Sequence, residues 1–135
     1  MRRLAPVVLL ALAATVGAAC TKDHGSAEEL CAELKGGSYA SVFNGFDPAD
    51  PAKALDQLRT ARVTLGDLKD KAPKEQRADL QIEIDYVQDL IDVVAPLGDD
   101  ADVSQVAAAI QTTTKAHPDV DKAAARLAAF QKTSC

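Results

Sequence analysis

LQIEIDYVQDLIDVVAPL, residues 80–97, is the stretch whose reading decides the fold. Leu80, Ile84, Val87, Ile91 and Val94 recur at spacings of four, three, four and three, the period of one helix face. Ile82, Leu90, Val93 and Leu97 widen that face beyond a narrow seam, as expected of a helix packed between neighbours. Pro96 and Gly98 close it, because proline cannot continue the hydrogen-bond ladder and glycine favours the exit turn.

Helical punctuation continues on either side. Upstream, Asp50-Pro51 places a capping carboxylate before a proline at the first helical position. The helix it opens runs to about Ala72, with Leu55, Leu58, Arg62, Leu65 and Leu68 along one stripe. Pro73 then starts the helix of the opening stretch. Nearer the N-terminus, Ser26-Ala27-Glu28-Glu29 reads as a capping box ahead of Leu30, Cys31 and Leu34, and Gly36-Gly37 ends that helix. Downstream, Asp102-Val103-Ser104-Gln105 opens a helix with Val103, Val106, Ala107 and Ile110 facing inward. His117-Pro118 ends it, and a last helix from about Pro118 carries Val120, Ala124, Leu127 and Phe130. No segment alternates apolar and polar residues as a strand would. Short loops between helices favour antiparallel neighbours, so the expectation is an all-α fold, a single antiparallel bundle of four to five helices over residues 26–135.

The first nineteen residues carry the parts of a signal peptide. Arg2 and Arg3 form a positive start, Leu4 to Val16 a short apolar run, and Gly17, Ala18 and Ala19 a small-residue exit before Cys20. The apolar run is shorter than the roughly 20 residues a membrane-spanning helix needs. Small residues running into a cysteine resemble the lipobox of bacterial lipoproteins, although Gly17 stands where that family usually has an aliphatic residue. The resemblance implies a diacylglycerol on Cys20, residues 20–25 as a short tether, and a domain held close to the membrane. Parity points the same way. Of three cysteines, lipidation removes Cys20 and leaves Cys31 and Cys135 as a disulfide pair in an exported protein. Cleavage after Ala18, with Cys20 a free thiol, is the alternative for the first; two buried thiols are the alternative for the others.

Composition narrows the function classes. The whole chain carries a net charge of −5, and removal of Arg2 and Arg3 takes it to −7. An acidic domain lacks the basic footprint of nucleic-acid binding, and an anionic membrane surface would repel it, which leaves anchoring to the lipid. The two histidines, His24 and His117, belong to no metal-ligand pattern, so no metal and no cofactor is expected. Asp99, Asp100 and Asp102 read as helix-capping residues rather than a calcium loop. Asp85, Asp89 and Asp92 form an acidic stripe, read as a solvated face. No nucleophile elbow is present, and the carboxylates are taken as surface residues, so no general acid is assigned and the protein is not expected to be an enzyme.

One segment stands out for binding. Tyr39, Phe43 and Phe46 hold three of the five aromatic residues within eight positions, among Gly36, Gly37 and Gly45. Aromatic rings on an adaptable loop can grip a partner or ligand; alternatively they plug one end of the bundle.

Taken together, the signal ending in cysteine, the early Leu30-Cys31-Ala32, the Asp47-Pro48-Ala49-Asp50-Pro51 entry and the terminal helix finishing in cysteine resemble small actinobacterial helical lipoproteins and secreted proteins of unknown function. The resemblance implies a bundle tied by Cys31 and Cys135 and brings no catalytic residues. The functional expectation is a noncatalytic, extracytoplasmic protein anchored to the cell membrane through Cys20. It would bind an envelope protein or a small apolar ligand. The alternatives are a soluble secreted bundle and a carboxylate-dependent envelope enzyme.

Overall fold

Two 21-residue helices joined by only two residues form the spine of the computed structural model, which describes residues 25–42, 44 and 46–135. The expected signal segment, Cys20 and most of the expected tether lie outside the described residues.

α1 (Ala27–Lys35) begins with the capping box read from the sequence. The Ser26 hydroxyl accepts from Glu29 N at 3.1 Å, and Glu29 Oε2 accepts from Ser26 N at 3.0 Å. Gly37, with φ of +83°, supplies a left-handed turn that a side chain would oppose. A four-residue turn of helix follows, α2 (Ser38–Ser41), where the sequence predicts an aromatic loop.

α3 (Pro51–Lys71) starts at Asp50, whose carboxylate accepts from Lys53 N at 3.0 Å. It ends at Ala72, where Pro73 forces extended backbone. α4 (Lys74–Val94) therefore folds straight back on α3. A short 3-10 turn (Ala95–Leu97) and Gly98, at φ of +77°, lead to α5 (Val103–Ala116). Asp102 and Gln105 make a second capping box there. α6 (Val120–Ser134) begins two residues later than the proline that was expected to open it, after Asp119. All-α architecture with antiparallel neighbours is therefore the fold, with the α2 turn as a sixth helix among the described residues.

α4 is the central element and packs on α3, α5 and α6. Tyr86 Oη lies 2.9 Å from Thr114 Oγ1, and His117 Nε2 lies 2.7 Å from Asp89 Oδ2, so α5 runs along the C-terminal half of α4. Arg126 reaches Asp79, which puts α6 along the N-terminal half. Helices α5 and α6 thus act as one long antiparallel partner, broken at His117-Pro118.

Leu30, Leu34, Leu58, Leu65, Leu68, Leu80, Val87, Leu90, Val106 and Leu127 form a continuous core. Each fully buried leucine contributes about 1.5–3 kcal/mol relative to exposure.

On three helices the buried row differs from the sequence reading. On α3 the buried stripe runs through Ala61, and Arg62, placed in the stripe by the sequence, is exposed. On α5 only Val106 and Thr113 are buried; Val103 is 46% exposed and Ala107 is exposed. The reason is that, among the described residues, α5 packs mainly on α4, which covers one of its faces. On α4 the deepest row is Leu80, Glu83, Val87, Leu90 and Val94, with Ile84 and Ile91 on its flank.

The ends of the domain are tied together. Cys31 and Cys135 form a disulfide with Cα atoms 5.3 Å apart across 104 positions of sequence. At the opposite end of α1, a Cβ on Gly25 would fall 2.0 Å from the Lys71 carbonyl, so only glycine lets the chain pass the end of α3.

Candidate functional site

Two places on the bundle combine chemistry with enclosure, and the aromatic segment contributes one residue to each. The first is a buried polar cluster. Tyr39, on α2, donates its hydroxyl hydrogen to Glu83 Oε1 at 2.6 Å. Glu83 is 1% exposed, and its Oε2 is the one buried side-chain nitrogen or oxygen among the described residues that lacks a hydrogen-bond partner. One turn earlier on the same helix, Asp79 is also buried. Arg126 grips it with Nε and a terminal nitrogen, at 2.8 and 2.5 Å, both on Oδ1.

Electrostatics follow from that geometry. Burial, opposed by the Tyr39 hydrogen bond and reinforced by the negative charge of Asp79, pushes the Glu83 carboxyl up to about 7. Burial, with the Glu83 contact next, holds the Tyr39 phenol above its ordinary value. The Arg126 guanidinium, paired with Asp79, is also raised.

These carboxylates overturn the reading that every acid sits at a surface-type position. Glu83 occupies a core position on α4, three residues after Leu80 and four before Val87. The signal was present in the sequence: the row 80, 83, 87, 90, 94 is as periodic as the row through Ile84 and Ile91. Its acid among aliphatic residues disguises that row as a surface one.

The second place is an apolar groove of about 330 Å³ between α3, α4 and α5. Phe46, Leu58, Tyr86, Leu90 and Ile110 line it. Phe46 enters from the loop before α3 and packs against the core. The Tyr86 hydroxyl at its edge meets Thr114, and the Tyr86 ring stands edge-on to His117 with centroids 5.5 Å apart.

Tyr39 and Phe46 are therefore not brought to one place; Tyr39 goes to the polar cluster and Phe46 to the groove. Phe43 lies outside the described residues, as does Cys20, the expected lipidation position. A third hollow, of about 480 Å³, runs between α3 and the end of α2 and is lined mainly by polar side chains such as Lys53, Asp56 and Thr60.

The other residues singled out by the sequence sit as follows. Asp102 caps α5, with its carboxylate held below the usual range by the Ser104 bonds, while Asp99 and Asp100 are exposed in the turn. Asp85, Asp89 and Asp92 are exposed along α4, where Asp85 and Asp92 accept from Gln81 and Gln88. His117 ends α5, and its ring pairs with Asp89 rather than with helix carbonyls. Among the described residues no three His, Cys, Asp or Glu side chains converge as metal ligands would. None of the described helices is long and apolar enough to cross a membrane. Comparison with protein-family models, curated proteins and solved structures finds no match to this chain.

Proposed function

We propose that this is a noncatalytic protein of the cell envelope, lipid-anchored through Cys20, whose bundle takes up a small apolar ligand between α3, α4 and α5. The observation that carries the binding half is the groove of about 330 Å³ lined by Phe46, Leu58, Tyr86, Leu90 and Ile110. Its size lies at the lower end of small-molecule sites, and its apolar walls with one hydroxyl at the edge suit a short acyl chain or a single ring. The anchoring half rests on the Arg2-to-Cys20 segment of the sequence. The noncatalytic reading is supported by the state of the two buried acids: Asp79 is occupied by Arg126, and Glu83 is covered by Tyr39.

The test of the groove is an NMR titration of the domain with hexan-1-ol as probe, following methyl signals. Saturable shifts confined to Leu58, Leu90 and Ile110, lost when Ile110→Trp fills the groove, are the expected result. Absence of shifts in the wild type, or shifts spread over the whole surface, would overturn the reading.

A further inference from the structure

We propose that the Tyr39–Glu83 contact is a proton-operated latch: protonated Glu83 keeps the α2 turn seated on α4, and loss of the proton loosens it.

The geometry supplies both the fastening and its weakness. α2 is a four-residue turn with no fully buried residue and no side-chain N-cap, joined to α1 through Gly36 and Gly37. Its side-chain hydrogen bonds to other elements are the Ser38 hydroxyl on Glu33 Oε2, at 3.0 Å, and the Tyr39 hydroxyl on Glu83, while the Tyr39 ring packs against the core and Val42, just past the turn, is buried in it. Of the two bonds, only the second reaches the interior. A buried carboxylate is stable when two or three donors face it. Among the described residues Glu83 has one, and its Oε2 faces none.

Among the described residues, other charges do not make up the deficit. On α4 itself the nearest acid is Asp79, a like charge. From α6, both Arg126 bonds go to Asp79 Oδ1, and the residues that helix buries are Val120, Ala123 and Leu127. α1 and α3 bury no charged side chain; Glu33 and Lys71 pair with each other at their edge. α5 buries only Val106 and Thr113. The cheapest way to solvate an ionised Glu83 is to lift the element that covers it, and that element is the turn bearing Tyr39.

Proton linkage then sets the size of the effect. If lifting α2 returns Glu83 to an ordinary carboxylate environment, the opening constant rises tenfold per pH unit between about 4.5 and about 7. Above that range it is flat, after a total rise of about 300-fold.

The experiment is backbone amide hydrogen exchange by NMR from pH 5 to 8, on wild type and Glu83→Gln. The reporters are Ser41 N–H, bonded to Gly37 O, and Val42 N–H, bonded to Tyr39 O. After correction for intrinsic base catalysis, their opening constants should climb about tenfold per unit to pH 7 in the wild type and stay level in Glu83→Gln. A level profile in the wild type, the same climb in Glu83→Gln, or an equal climb at the core amides of α4 would each overturn the latch. Should Glu83→Gln fail to fold, the wild-type Glu83 carboxyl carbon shift serves instead. A midpoint coinciding with that of the Ser41 and Val42 profiles supports the latch, and separate midpoints overturn it.

Discussion

Glu83→Gln also has a consequence for the whole fold. The native carboxyl holds its proton up to about 7, while the unfolded chain releases it near 4.5. Between those values the native state binds more protons than the unfolded state, so stability falls as pH rises through that window and is level outside it. A gap of that width corresponds to about 3 kcal/mol, at about 1.4 kcal/mol per pH unit. Glutamine keeps the shape and can accept the Tyr39 hydrogen bond, but does not ionise. Its amide nitrogen would stand where Oε2 now lacks a partner, a cost of about 1–3 kcal/mol that does not change with pH. Urea denaturation of both proteins at pH 5 and pH 8 separates the two effects. The wild type should lose about 2–3 kcal/mol more than Glu83→Gln across that interval, because the other titrations cancel in the comparison. Equal losses in the two proteins would refute the claim that Glu83 is buried with a poorly compensated charge.

Three further outcomes are expected. Cys135→Ser opens a covalent loop of about 100 residues, and thermal unfolding should show a loss of up to about 4.7 kcal/mol with little change in far-UV circular dichroism. Leu65→Ala, at a position with 0% exposure between α3 and α4, should cost about 2–5 kcal/mol in chemical denaturation. Cys20→Ser in the full chain should move the protein from the membrane fraction to the soluble fraction of its host; continued detergent-dependent extraction would remove the lipid anchor from the proposal.

Helix starts were the most legible part of the fold in the sequence. Ser26 with Glu29, Asp50 with Pro51, and Asp102 with Gln105 each act within four residues, so local chemistry alone fixes them. The disulfide was legible through cysteine parity, a count rather than a geometry. What local pattern does not show is which of two nearly equivalent rows on a helix faces the centre. On α4 the rows through Ile84 and through Glu83 differ by about 100° of rotation, and only the positions of α3, α5 and α6 choose between them. The same limit applies to α5, where Ala107 and Val103 have the right period for burial but lie on the face turned away from α4 among the described residues. The Tyr39–Glu83 contact spans 44 positions, and nothing near either residue announces the other. Aromatic clustering marked Tyr39 and Phe46 but not their separate destinations.

The bridge between Cys31 and Cys135 also determines how the domain would bear a mechanical load. A pull entering through the chain at Gly25 reaches α1 first, and within its second turn meets a covalent link to the end of α6. Tension drawn against the far end of the chain passes from one sulfur to the other and bypasses the α3–α4 hairpin, whose packing would otherwise be peeled apart. With the bond intact, a pulling experiment on the two ends should show almost no lengthening as the core comes apart, since the residues between the cysteines cannot be drawn out. Under reducing conditions the same pull should release the full contour of that segment, on the order of 340 Å at about 3.3 Å per residue. The bond makes the second turn of α1 and the end of α6 a single attachment point.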